Sequence, residues 1–118
     1  MKESVIRSKV YDFALKIVNA YKILKQKRKY ELASQLLRSG TSIGANTFEA
    51  QSAQTPRDFY AKFSISYKEA NETFFWINLL RDSKILDEDI AKDLLLDLNQ
   101  ILKILATILA NTRKRFNF

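Results

Sequence analysis

The sequence predicts an all-α protein: an antiparallel up-down-up-down four-helix bundle forming a single domain over residues 1–118. Three observations carry this. Only two Gly and one Pro occur among 118 residues, a scarcity that favours long uninterrupted helices over a turn-rich β fold. Apolar residues recur at three- and four-residue steps in four successive segments. Short polar connections separate those segments, and short connections make neighbouring helices antiparallel. With 47% hydrophobic residues, a chain of this length can bury a real core.

The first helix is expected over about Ser8 to Lys27, with Ser8 as N-cap. Val10, Ala14, Ile17, Tyr21 and Leu24 form its seam, and Tyr11, Leu15 and Val18 a second apolar line well away from it. Lys27, Arg28 and Lys29 mark the turn. The second helix runs over about Tyr30 to Ala53, with Leu32, Leu36, Ile43 and Ala50 at helical spacing. It is unusual in holding Gly40 and Gly44 one turn apart, each costing about 1 kcal/mol against Ala in a helix interior. Close approach by a neighbouring helix is the expected compensation. Arg38, Ser42, Asn46 and Glu49 share another face as a polar stripe.

Gln-Thr-Pro-Arg-Asp at 54–58 is the sharpest boundary. Thr55 suits the N-cap, Pro56 the first helical position, and Asp58 the positive end of the helix dipole. The third helix is expected over about Pro56 to Lys84, with a core line of Phe59, Phe63, Ala70, Phe74 and Ile77. A second line, Ile65, Glu69, Glu72, Trp76 and Leu79, mixes acids with apolar residues. Asp87 is the expected N-cap of the fourth helix, with Glu88 and Asp89 in its first turn. Its seam is Leu94, Leu98, Ile101, Leu105 and Ile108, beside a second line of Leu95, Leu102 and Leu109. The basic end, residues 113–118, is expected to fray.

Three of the helices thus carry more apolar surface than one seam needs. A solitary subunit would leave the second lines wet, and large exposed apolar patches mark interfaces, so a homo-oligomer is expected. The competing reading is that a wide core-facing stripe buries both lines internally.

The net charge is +7, and all of that excess falls within residues 1–29, since residues 30–118 balance. A one-sided basic patch is the electrostatic footprint of a polyanion such as RNA or DNA. The candidate contacts are Lys9, Lys16, Lys22, Lys25, Lys27, Arg28 and Lys29. A solvated helix face that aids solubility would look the same.

Catalysis has little to work with. There is no Cys and no His, so thiol chemistry and a His-assisted nucleophile are excluded, and no Lys dyad is evident. Glu69-x-x-Glu72 lacks the imidazole of a bundle di-metal site. The two glycines fall inside a helix and form no phosphate loop. No cofactor, metal or catalytic residue is therefore assigned. No signal peptide or membrane span is legible, and Lys103 interrupts the most apolar run, so a cytoplasmic protein without a membrane partner is expected.

If the second and third helices fold back around residues 54–55, Arg38 stands within one turn of Glu69 and Glu72. An Arg38–carboxylate pair across that interface is expected, with a structural rather than a chemical role. Asn46 and Glu49 read as interhelical or intersubunit hydrogen-bonding groups.

Leu36-Leu-Arg-Ser-Gly-Thr-Ser-Ile-Gly-Ala-Asn46, then Glu49-Ala50, Lys68-Glu69-Ala70-Asn71-Glu72-Thr73 and Trp76 resemble the 23S rRNA intervening-sequence protein family. The resemblance implies small bacterial up-down bundles that assemble as ring-shaped pentamers. It also implies kinship with the accessory variability proteins of diversity-generating retroelements, which are basic and bind nucleic acid and a reverse transcriptase. It makes Arg38, Ser42, Asn46, Glu49, Glu69, Glu72 and Trp76 positions of a shared packing and assembly motif and supplies no catalytic residue. Phe75, where Tyr is more usual before Trp76, and Phe48, where a smaller aliphatic is common, depart from it. The function expected is nonenzymatic nucleic-acid binding through the first helix. The rivals are a protein-interaction scaffold, for instance an accessory subunit of a reverse transcriptase, and a purely structural oligomer.

Overall fold

The computed structural model describes residues 2–118, with side chains from residue 5 onward. Lys2 and Glu3, part of the basic segment's charge count, lie outside the described side chains. Four helices make up the described chain: α1 Lys2–Gln26, α2 Tyr30–Ala50, α3 Pro56–Asp82 and α4 Glu88–Phe116. At about 1.5 Å per residue the helices match the long axis of a particle measuring 47 × 21 × 21 Å. Both α1 and α3 pack on α2 and on α4, so the four form a square around one core.

Each seam follows from which residues the neighbours cover. In α4 the buried line contains Leu94, Leu98, Ile101, Leu105 and Ile108, as the spacing predicts. Leu95, Leu102 and Leu109 lie half-buried against the same core, so this second line is largely absorbed within the subunit. In α1 the buried line is Ile6, Val10, Phe13, Ile17, Ala20 and Leu24. Ala14 and Tyr21, expected on the seam, sit on its shoulder. In α3 the line is Phe63, Ser66, Ala70, Thr73, Ile77 and Leu80. Phe59 is only half-buried and Phe74 is exposed, contrary to expectation. The core there prefers two small hydroxyl residues because α2 approaches closely.

Ends also differ from expectation for physical reasons. Ser8 is not an N-cap: α1 begins at Lys2, because Ile6 extends the four-residue period of Val10 back toward the N-terminus. Beyond Ala50, the backbone of Gln51, Ser52 and Ala53 bonds three residues back, tightening α2 out of α-helical pitch. At α3 the cap is as read: the Thr55 hydroxyl accepts from the Asp58 N–H at 3.0 Å, with Pro56 next. Asp87 holds the N-cap position of α4 but its side chain makes no capping bond. The basic end does not unwind early, since α4 continues to Phe116.

Two helix ends share one device. After α1, Arg28 N–H donates to Lys25 O and Lys29 N–H to Leu24 O. After α3, Lys84 N–H donates to Arg81 O and Ile85 N–H to Leu80 O. These are paired Schellman closures, and each needs a left-handed residue. That residue is Arg28, φ 61°, and Lys84, φ 62°, where Gly is the usual occupant. A side chain held there costs about 1–3 kcal/mol. Gly gives back part of the gain in unfolded-chain entropy. Arg28→Gly and Lys84→Gly should therefore each raise the unfolding free energy by about 1 kcal/mol, read as a higher denaturant midpoint at unchanged slope.

Candidate nucleic-acid interface

The cations of α1 divide into two groups. Lys9 donates to Gln100 Oε1 at 2.8 Å. Lys16 pairs with Asp97 at 2.7 Å and Asp93 at 2.9 Å. Both are turned onto α4, which packs against α1. Hydrogen bonds that Lys16 donates to Asp97 and then Asp93 hold its ammonium above its ordinary pKa. A lysine already shared by two carboxylates offers little to a phosphate, so Lys16 drops out of the candidate set and Lys9 is weakened.

Lys22, Lys25, Lys27, Arg28 and Lys29 are exposed, and among the described residues none pairs with a carboxylate. Lys25 lies 5.8 Å from the Tyr21 ring, and Lys27 Nζ donates to the Ile85 carbonyl at 3.1 Å. That last bond brings the α1–α2 turn against the α3–α4 turn. It adds Lys84, exposed and one residue from Ile85, to the same end of the bundle. Lys84 escapes a reading by charge runs because it stands alone in sequence.

The polar stripe of α2 also divides. Arg38 reaches α3, donating from Nη1 to Glu69 Oε1 at 3.2 Å and from Nη2 to Glu72 Oε2. The Trp76 indole N–H donates to the same Glu72 oxygen at 3.0 Å. Glu49 accepts from Lys62 at 2.8 Å, which holds the Lys62 ammonium above its ordinary pKa. Ser42 and Asn46, by contrast, do not bridge helices within the subunit. Ser42 donates to Arg38 O at 2.6 Å and Asn46 to Ser42 O at 2.9 Å, each reaching the carbonyl one turn back on α2 itself. Arg38 is 47% exposed, so its pairing is screened by water. A double-mutant cycle with Arg38→Ala and Glu72→Gln should read a coupling of less than about 1 kcal/mol, shrinking with added salt.

The bonds that cross the α2–α3 interface in the dry are elsewhere. Ser39 and Thr73 share a bond of 3.0 Å, Thr47 and Ser66 one of 2.9 Å, and Ser66 donates to Ile43 O at 2.8 Å. All four residues are fully buried. The signal for them lies in the period itself, since each falls three or four residues from a core aliphatic.

On α2's other flank the two glycines face α1. A Cβ at Gly40 would lie 2.7–2.9 Å from three side-chain carbons of Ile17. One at Gly44 would lie 3.5 Å from the Val10 carbonyl oxygen. The groove thus seats α1.

These features define an all-α protein of four packed helices, closed by interhelical hydroxyl bonds and ion pairs. Among the described residues no helix is long and apolar enough to cross a membrane, and no cluster of acidic residues is placed to hold a metal. The chain belongs to the 23S rRNA-intervening sequence protein family, whose model matches residues 2–107. It is also similar to a protein of unknown function from the S23 ribosomal protein family of Bacteroides thetaiotaomicron VPI-5482, known from a 1.70 Å crystal structure. The two are 41% identical with a TM-score of 0.90, over 93% of this chain and 99% of that one. No curated protein matches the chain in sequence.

Proposed function

We propose that the protein is a nonenzymatic, self-associating bundle that binds RNA or DNA duplexes through the end formed by the α1–α2 and α3–α4 turns. The observation that carries this is the gathering of Lys22, Lys25, Lys27, Arg28, Lys29 and Lys84 there, none of them paired with a carboxylate among the described residues, although Glu31, Asp82, Asp87, Glu88 and Asp89 stand at the same end. Arg28 and Lys84 strengthen it. Both hold left-handed positions where Gly would be more stable, and strain of that kind concentrates where side chains have a task.

The reading has helices that alternate up and down. It is supported by α2–α3 partners whose numbers run in opposite senses, 39 with 73, 47 with 66 and 49 with 62. It also has copies that associate through the outer face of α1, a ring of five being what the family resemblance implies. Repetition of one cationic end around a ring would multiply weak phosphate contacts by avidity. The paired motif of Arg38, Glu69, Glu72 and Trp76 holds α2 and α3 in register within this scheme.

Electrophoretic retardation of a short RNA or DNA duplex at increasing salt tests the proposal. Six engaged cations give a slope of about −5 in log affinity against log salt. Lys27→Glu, Arg28→Glu and Lys29→Glu together should abolish retardation at physiological salt. Retention of duplex by that variant, or no retention by the wild type alongside specific capture of an acidic polymerase subunit, overturns it in favour of a protein scaffold.

A further inference from the structure

The opposite end of the bundle carries a second basic cluster, built on different chemistry. There α4 finishes in Arg113, Lys114 and Arg115, all exposed, against the turn that joins α2 to α3. Asn117 turns the chain in the left-handed region, φ 56°, and Phe118 N–H donates back to Arg113 O at 3.1 Å. This folds Phe118 onto α3. Its ring meets Tyr60 edge-on at 5.4 Å and lies 4.5 Å below the Arg57 guanidinium. Phe116 stacks on Phe118 at 6.1 Å with an interplanar angle of 27°, and Arg115 stands 5.3 Å over the Phe116 ring.

Phe116 remains 42% exposed at the centre of this arrangement. Beside it opens a cavity of about 550 Å³ walled by Pro56, Phe59, Asn111 and Arg115, with no carboxylate in its lining.

We infer that this end binds single-stranded nucleic acid, one base stacking on Phe116 and its neighbour entering the cavity, with phosphates on Arg57, Arg113 and Lys114. Flat rings interleaved with guanidinium planes suit a partner that is both flat and polyanionic. A single strand offers free base faces, whereas a duplex hides them within its stack. An acidic peptide would satisfy the cations but leave the exposed ring and the cavity without a matching flat group. The inference stands apart from the proposed duplex-binding end at the far pole, where among the described residues no two aromatic rings stack.

Fluorescence anisotropy of the full chain with labelled oligouridylate, oligothymidylate and a duplex of equal length tests it. Phe116→Ala should weaken both single strands about tenfold and the duplex less than twofold. Phe116→Trp should restore single-strand affinity, which a loss of fold would not allow. Lys114→Glu with Arg115→Glu, both at the surface, should lower single-strand affinity at least as much and flatten its salt dependence. The triple reversal at residues 27–29 should leave the Phe116 effect intact, so the two ends can fail separately. Single-strand affinity within twofold of wild type in the Phe116→Ala protein, or in the Lys114→Glu, Arg115→Glu protein if the first does not fold, overturns the inference.

Discussion

Gly40→Ala is expected to destabilise the protein by about 1–2 kcal/mol, although Ala is the better helix former by about 1 kcal/mol. The added methyl would sit 2.7–2.9 Å from Cγ1, Cγ2 and Cδ1 of Ile17, too close for any of the three to remain in place. Ile17 cannot swing aside easily. It is fully buried and β-branched, with one strongly preferred rotamer in a helix. So α1 must lift from α2, and an overpacked core loses about 1–3 kcal/mol. Ile17→Ala alone should cost about 2–5 kcal/mol by leaving a cavity. In that background, however, Gly40→Ala has room, and its helix propensity should show as a gain of about 1 kcal/mol. The cycle therefore reads a coupling of about 2–3 kcal/mol, at the upper end for touching residues. Additive costs in chemical denaturation would mean that α1 and α2 do not meet at this point.

Gly44 is the internal control. Its Cβ would stand in ordinary contact with Val10, so Gly44→Ala should be neutral or stabilising. The sequence shows two glycines one turn apart and justifies expecting a close neighbour. It does not say that α1 rather than α3 is that neighbour, nor that only one glycine is sterically required. Those facts depend on where Ile17 and Val10 fall along the partner helix.

The same limit explains the seams. In α4 each seam position is Leu or Ile, and periodicity alone finds it. In α3 the period passes through Ser66 and Thr73, and a reading that follows large apolar residues moves to Phe74, which is exposed. Hydroxyls belong inside there because each finds a partner on α2, and a partner cannot be seen from one strand of sequence. In α1, Phe13 and Ala20 replace Ala14 and Tyr21 while Val10, Ile17 and Leu24 stay buried, a turn of the seam by about 40° that the apolar composition of both flanks conceals. The carboxylates that meet Arg38 were legible because fold-back about a sharp turn fixes levels. The self-bonding of Ser42 and Asn46 was not, because a polar residue has its own helix's carbonyl within reach.

Charge was legible as a sum and not as a surface. Nine cations in residues 1–29 read as one patch, yet α4 places Asp93 and Asp97 opposite Lys16 and leaves the turn cations alone. Lys84 joins them only because α3 ends where α1 ends. Glu31, Asp82, Asp87, Glu88 and Asp89 stand at that same end, so its excess of cations is smaller than the count in residues 1–29 suggests. Exposed apolar side chains remain on α1, at Tyr11 and Leu15, and on α3, at Ile65, Phe74, Phe75 and Leu79.

On the outer face of α1, Tyr11 and Leu15 are 56% and 52% exposed and lie one turn apart, opposite the buried line of Val10, Phe13 and Ile17. Val18, the third member of this line, is half-buried, and Ile65 and Leu79 of the second line of α3 are 41% and 42% exposed. If copies associate through this face of α1, as proposed, Tyr11→Glu with Leu15→Glu should yield single subunits. Two apolar anchors replaced by charge at the centre of an interface remove about 2 kcal/mol each, which weakens association about a thousandfold. Both side chains point away from the core, so far-ultraviolet circular dichroism should keep its helical amplitude. The thermal midpoint should depend on concentration in the wild type and be independent of it in the variant. Leu96→Glu, on α4 and equally exposed, serves as the comparison: sedimentation of that variant as wild type, beside a monomeric Tyr11→Glu, Leu15→Glu protein, places the contact on α1. A wild type that sediments as one subunit at every concentration would sink the self-association reading. Loss of assembly should also steepen the decline of duplex binding with dilution, because each isolated end then meets its phosphates without neighbours to hold it there.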